Sequence, residues 1–567
     1  MIKLSIALLI IILIPHAAFS QTLVWGAKFG GTGTDNCSTH ILDSQGNMYV
    51  AGIFSGTADF NPGSGIYNLT AVGVNDMYIA KISSGGALIW VQQYGENGEV
   101  HAFDMQLDAS GNIFVAGGFR DTIDLDPGPG VTNLMAYPST SSNFDAYVCK
   151  LDSLGNLIWA KGFGGFSSDY VKTIKLDAFD NLLLYGQFAA TVDFDPGPAT
   201  FNVSIFGNGI FISKFDTMGN FLWVKQMSQQ GSLTVSAMEI DSAGHMYCVG
   251  DFQGPIDFDP GPSSFVLSSS GPSSHRDIFI CKLTSLGEFA WAKKIGSDST
   301  EFVTAVGFDA YRNIYLSGYF AGAVDFDPDT SSSYILTPGG PWNNSFFFCK
   351  LDSSGNFKWA NEFALPNTKS ITCDINNNIY LAGIAQSGLD ADPGPAVHPI
   401  FTNGPCIIKF DQNCNFLFAI STTGNTARPD KVTIYQNTDI YVSGTFSGSI
   451  DFDPGPATQL VNSTGLYDGY IWKISAVTSL NENSDIRTFI IFPNPGSQEV
   501  ELKIYLQSNE IIETNIFNII GETVFSQTNF FNLYYNKLDV SNLPVGIYTI
   551  QLRTLSSTLA AKLVITR

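Results

Sequence analysis

Between Leu23 and Ile474 the chain alternates short apolar runs with tight polar clusters, and no apolar run keeps a helical period. Phe103 to Leu107 leads into Asp108-Ala109-Ser110-Gly111-Asn112, and Ile113 to Phe119 returns. Ala146 to Leu151 then leads into Asp152-Ser153-Leu154-Gly155-Asn156, and Leu157 to Lys161 returns. Asp and Asn bond their own backbone in such clusters, and Gly supplies the positive φ. The pattern predicts four short antiparallel strands joined by tight turns.

This four-strand unit repeats. Asp-x-Asp/Asn-Pro occurs seven times, beginning at Asp59, Asp124, Asp193, Asp257, Asp325, Asp390 and Asp451, at spacings of 65, 69, 64, 68, 65 and 61 residues. Lys81, Lys150, Lys214, Lys282, Lys350, Lys409 and Lys473 keep the same beat, as do Trp90, Trp159, Trp223, Trp291, Trp359 and, substituted, Phe418. Four strands per unit in seven units predicts an all-β fold, a seven-bladed β-propeller. The seventh unit lacks a fourth strand after Ile474, while Leu23 to Gly31 matches the fourth strands elsewhere. The N-terminal strand is therefore expected to close the ring and remove its exposed sheet edges.

The repeat resembles the SBBP-type bacterial propeller repeat. The matching segments are Asp43-Ser44-Gln45-Gly46-Asn47-Met48-Tyr49-Val50-Ala51-Gly52 and Lys150-Leu151-Asp152-Ser153-Leu154-Gly155-Asn156-Leu157-Ile158-Trp159, within roughly residues 22 to 475. The resemblance implies the fold; propellers host many unrelated activities.

After Ile474 the beat stops. Residues 476–487 read as a polar linker, and 488–567 as a small β-sandwich with Val500, Leu502, Ile504 and Leu506 on one face of a strand. Phe492-Pro493-Asn494-Pro495, Ile516-Phe517-Asn518-Ile519-Ile520-Gly521-Glu522, Leu543-Pro544-Val545-Gly546-Ile547-Tyr548 and Lys562-Leu563-Val564-Ile565 make this segment similar to the type A C-terminal sorting domain of type IX secretion. That resemblance implies the type IX machinery as a partner and an extracellular or outer-surface location. At the other end, Lys3, the apolar Leu4 to Ile14 and Ala18-Phe19-Ser20 read as a signal peptide over residues 1–20, leaving a propeller over 21–475. No further stretch is long and apolar enough for a membrane helix.

Composition narrows the function. A formal net charge of −23 argues against nucleic acid, whose binding needs Lys and Arg along the phosphates. Cys149, Cys281 and Cys349 share one repeat position and read as small buried residues, too far apart to bridge. None of His40, His101, His245, His275 and His398 recurs in register, and no nucleophile, zinc or phosphate-loop motif is present.

The Asp-x-Asp-Pro segments are the candidate metal site. Asp59, Asp124, Asp126, Asp193, Asp195, Asp257, Asp259, Asp325, Asp327, Asp390, Asp392, Asp451 and Asp453, with Asn61, are expected on one face. Two carboxylates at i and i+2 supply part of a calcium shell, which takes six to eight oxygens. The alternative is that each Asp makes a turn with backbone amides. The recurrent Trp residues are expected to pack between blades, and the recurrent Lys residues to be solvated strand ends. The regular repeats favour a non-enzymatic module that binds polysaccharide or protein. A polysaccharide hydrolase or lyase and a surface-layer component are the alternatives.

Overall fold

The computed structural model describes residues 20–566 except 138–142, 228–230, 272–274, 340–343, 364, 395–396, 425, 456, 478–485, 493–498, 507–509, 519–521, 532–534 and 554–557. The expected signal peptide thus lies outside the described residues. The chain divides into two compact units, one spanning Gln21–Ala476 and the other formed by the residues from Val477 onward.

The larger unit is all-β. Six of its sheets have four antiparallel strands that lie side by side in chain order, such as Tyr170–Leu176, Leu182–Asp193, Asn202–Phe215 and Phe221–Met227. A further sheet orders Arg428–Tyr435, Asp439–Phe446, Asp468–Val477 and the N-terminal Ser20–Gly31, and continues into Thr57–Asp59 and Asn68–Thr70. These are sheets of propeller-blade type. The first strands of successive sheets pack on one another: Thr39–Leu42, Glu99–Leu107, Tyr170–Leu176, Ser232–Ile240, Phe302–Phe308, Ser370–Cys373 and Arg428–Tyr435, and the last packs on the first.

Burial explains the apolar pattern. Second and third strands have sheets against both faces; Met48–Phe54 and Asp145–Leu151 are buried throughout, so they read as unbroken apolar runs. Fourth strands such as Leu88–Tyr94 are only partly covered. The turns close as the sequence requires: Asp43 Oδ1 accepts from Gln45 N at 3.0 Å and Asn47 N at 2.9 Å, and Gly46 has φ 75°. Where glycine is replaced, Asp180, Arg312, Asn377 and Cys414 take the same left-handed conformation.

Three features hold neighbouring strands and sheets together. First, the middle residue of Asp-x-Asp-Pro is a buried wedge. Phe258 meets Phe252 and Phe279 at ring-centroid distances of 5.5 and 4.9 Å, and Phe54/Phe60/Tyr78, Phe188/Phe194/Phe211, Phe320/Phe326/Phe347 and Phe446/Phe452/Tyr470 repeat the cluster. In the sixth unit all three rings are replaced together, by Ala385, Ala391 and Cys406, and Phe363 and Leu365 join that core. Second, the recurrent Trp residues pack against the next sheet: a Cβ on Gly219 would meet the Trp159 ring at 3.0 Å, and one on Gly86 would meet Trp25 at 2.9 Å.

Third, the recurrent Lys residues are not solvated strand ends, which corrects the expectation. Lys150, Lys350, Lys409 and Lys473 are buried. Lys81, Lys150, Lys214, Lys282, Lys409 and Lys473 pair with Asp43, Asp108, Asp177, Asp241, Asp374 and Asp439 at 3.3, 3.1, 2.8, 3.7, 3.3 and 2.9 Å. Several ammonium groups also sit over an aromatic ring of the second strand, as Lys150 does 4.6 Å from the Phe114 centroid. Burial opposes ionisation of Asp108, but Asn112 and Lys150 outweigh it and hold the carboxyl below its usual range.

All eight cysteines are free, and Cys149, Cys281 and Cys349 are buried. Cys248 lies directly opposite Cys281 on the adjacent strand, a neighbour that repeat spacing does not reveal.

The C-terminal unit contains a sheet of Ile486–Phe492, Glu499–Leu506 and Tyr535–Asp539, and a sheet of Thr523–Phe531, Glu510–Phe517, Gly546–Arg553 and Thr558–Ile565. Val500 and Leu538 from the first share one core with Ile516, Ile550 and Leu563 from the second, so two sheets face each other over it.

Candidate functional site

Each Asp-x-Asp-Pro segment follows the first strand of a small two-stranded ribbon, such as Thr122–Asp124 with Asn133–Met135. The first Asp is committed to the backbone. Asp193 Oδ1 accepts from Asp195 N at 3.1 Å and Phe201 N at 2.7 Å; Asp124, Asp257, Asp325, Asp390, Asp451 and Asp59 repeat the pair of bonds. The second residue accepts from the amide two positions on: Asp126 from Gly128, Asp195 from Gly197, Asp259 from Gly261, Asp327 from Asp329, Asp392 from Gly394, Asp453 from Gly455 and Asn61 from Gly63. Asn61 serves as well as aspartate because the oxygen, not the charge, is used. Each segment sits on its own ribbon, and no group of three or more potential metal ligands forms among the described residues.

A different set of residues converges on one place. In five of the sheets the first strand carries one residue left out of the ladder, and in two the equivalent residue stands just before the strand. The pairing skips Phe103, Lys172, Ser236, Thr304 and Asp430. Ser38 and Lys369 precede their strands and donate to the same carbonyl-bearing residues, Ala51 and Ala382, that pair with Thr39 and Ser370. A bulge turns its extra side chain away from the sheet face. All seven residues line a single cavity of about 980 Å³, to which the first strands of all the propeller-type sheets contribute. Their spacings are again 65, 69, 64, 68, 65 and 61 residues. Sequence reasoning missed them, although each from Ser38 to Lys369 lies five positions before the turn Asp of its unit.

The cavity concentrates charge in a protein poor in it. It is lined by Lys172, Lys175, Lys369, Arg428 and Lys431, and by Asp104, Glu239, Asp251 and Asp430. Lys431 pairs with Asp104 at 3.4 Å, Lys175 with Glu239 at 3.1 Å, and Asp251 with Arg276. Lys172 and Lys369 form no ion pair among the described residues; the Lys172 ammonium stands 5.3 Å from the Phe103 ring centroid. Desolvation by the cavity walls, then the like charge of Lys369, holds the partly exposed Lys172 below the usual lysine value against the pull of Asp104 and Asp430. Burial pushes Asp430 up to about 6, against the lowering effect of the Thr445 hydroxyl, Lys369, Arg428 and Lys172. His40 is buried outside this lining, with Nδ1 2.8 Å from Ser443 Oγ.

Comparison with known proteins addresses both units. The model of the secretion system C-terminal sorting domain matches residues 490–566. The chain carries a type IX sorting domain. It is thus exported to the cell surface or the extracellular space, and its export involves the secretion machinery that reads this domain. No helix among the described residues is long and apolar enough to cross a membrane.

An uncharacterised WD repeat-containing protein of Acanthamoeba polyphaga mimivirus is 21% identical over 575 residues, covering 86% of this chain and 40% of the relative. The chain therefore spans well under half of that relative's length. The likeness agrees with the propeller-type sheets. Among solved structures, the extracellular domain of a hybrid two-component system from B. thetaiotaomicron matches at 10% identity, over 95% of this chain and 100% of that one, with a TM-score of 0.17. An apocarotenoid oxygenase from Synechocystis matches at 10% identity, over 92% and 96%, with a TM-score of 0.34.

Proposed function

We propose that residues 21–475 form a seven-bladed propeller of SBBP-type repeats, closed by the N-terminal strand, which serves outside the cell as a binding module for polysaccharide or protein. The other residues are read as a signal peptide over 1–20, a linker over 476–487 and the sorting domain over 488–567. The closed ring is supported by the position of Ser20–Gly31 beside Asp468–Val477 and by the packing of Arg428–Tyr435 on Thr39–Leu42.

One observation carries the binding reading. The Trp, Lys and Asp registers repeat from unit to unit, whereas the bulged residues that line the cavity differ: two Lys, one Asp, one Phe and three hydroxyls. A scaffold needs no such asymmetry, but a ligand site does. The cavity size also falls within the ordinary range for ligand sites.

A calcium role for Asp59, Asp124, Asp126, Asp193, Asp195, Asp257, Asp259, Asp325, Asp327, Asp390, Asp392, Asp451 and Asp453 has less support, because their Oδ1 atoms already hold backbone amides and a cation needs six to eight oxygens.

The test is retention of the exported chain on a panel of polysaccharides and surface proteins, with product release followed in parallel. Retention without product supports the binding module. Product release would replace it with a polysaccharide hydrolase or lyase, and no retention on any member would leave a structural surface component.

A further inference from the structure

Resting on the binding reading above, we infer that the cavity takes an acidic saccharide: a sugar unit whose carboxylate is held by Lys172 and Lys369. The argument begins with charge. Of the nine charged side chains lining the cavity, Lys431, Lys175 and Asp251 are neutralised by Asp104, Glu239 and Arg276. Lys172, Lys369 and Arg428 remain against Asp430 alone, an excess of two positive charges inside a chain of net charge −23. The two lysines come from different sheets and line the same cavity. Folding puts both charges in one cavity, with no carboxylate in ion-pair contact with either among the described residues, and an anion bound between them offsets their mutual repulsion.

The remaining lining distinguishes a sugar from a simple anion. Ser236 and Thr304 occupy successive sheets between the lysines; the Thr304 hydroxyl donates to Ser317 O at 3.2 Å and so meets a polyhydroxylated ligand as an acceptor, beside the Ser236 hydroxyl. Phe103, on the far side of Lys172, offers an apolar ring face to a pyranose. Asp430 accepts from a ligand hydroxyl as it does from Thr445, whose Oγ1 lies at 3.3 Å. At about 980 Å³ the cavity has room for the end of a chain and not only for a single small ion.

The experiment uses the full exported chain and measures binding by calorimetry to glucuronate and galacturonate oligomers, to neutral oligomers of the same length, and to inorganic phosphate. The expected result is tighter binding of the acidic oligomers than of the neutral ones by at least tenfold. Lys172→Met with Lys369→Met should remove that preference, and Lys172→Arg with Lys369→Arg should restore part of it. Near-ultraviolet circular dichroism verifies that each variant is folded. Equal binding of neutral and acidic oligomers, or an unchanged preference in the Met variant, overturns the inference while leaving the binding module intact. Phosphate alone binding as tightly as the oligomers overturns the saccharide assignment. A chain that binds nothing on the wider panel fails the binding module itself.

Discussion

Replacing Phe258 with alanine is the sharpest test of how the repeat holds its sheets together. The ring is fully buried and lies 4.9 Å from Phe279 and 5.5 Å from Phe252, centroid to centroid. Truncating a buried Phe to Ala costs about 3–5 kcal/mol, from lost transfer energy and an incompletely collapsed cavity. Its two ring contacts place Phe258→Ala toward the upper part of that range, since aromatic pairs add about 0.5–1.5 kcal/mol beyond burial. Phe258→Leu should cost less, about 1 kcal/mol, because Leu125 fills the same slot in the second unit and volume-conserving swaps are tolerated. In the sixth unit the order reverses. Ala391 is equally buried among Leu365, Ile400 and Cys406, so Ala391→Phe should overpack by about 1–3 kcal/mol. Guanidinium unfolding followed by Trp fluorescence reads all three from midpoint and slope. A Phe258→Ala loss below about 1 kcal/mol, or a stabilised Ala391→Phe, would refute the wedge.

Four further outcomes follow. Burial first, then the neighbouring Asp145 charge, raises the Asp169 carboxyl to about 8 against the Ala189 and Gly165 amides, so the folded state holds this proton where the unfolded chain has lost it. Its contribution is full below the unfolded value near 4 and is lost as pH rises toward 8; Asp169→Asn should flatten the pH 5–8 slope of the melting temperature, and an unchanged slope counts against it. Asp193→Ala strips an acceptor from two backbone amides and should cost about 1–3 kcal/mol, read by the same unfolding assay. Chelator should leave the melting temperature unmoved if the Asp-x-Asp-Pro oxygens serve backbone amides; a marked drop would install calcium there. Deleting residues 488–567 should trap the chain in the periplasm, as fractionation and immunoblotting would show, whereas unimpaired export would remove the role given to the sorting domain.

The local fold was legible because its signals are chemical and short-range. Asp43, Gly46 and Asn47 announce a turn by their own bonding, and the doubly covered second strands announce themselves as apolar runs. The sorting domain was legible from Leu543-Pro544-Val545-Gly546-Ile547-Tyr548 and its companion segments. The lysines were misread because a long amphipathic side chain can end a strand and still be buried; Lys473 needs Asp439 and the Tyr441 ring, which only strand pairing brings near. The cavity residues were invisible for a related reason. Whether Lys172 faces a sheet or the cavity depends on a skipped pairing between Val171 and Thr173, and pairing register is not written in residue type. Their one sequence mark is variability at a fixed offset from a constant turn, with Ser236, Thr304 and Lys369 where a structural position would repeat.

The claim that recognition takes place in the cavity lined by the first strands is tested most directly by filling it. Ser236 stands at the bulge of Ser232–Ile240 and lines the cavity. Ser236→Trp should place an indole in that space while leaving strand pairing intact. The measurement is retention of the exported variant on whichever polysaccharide or protein the unaltered chain retains, beside its unfolding midpoint. The account predicts retention lost by at least tenfold with the midpoint preserved; retention unchanged in a folded variant would place the ligand elsewhere and contradict it.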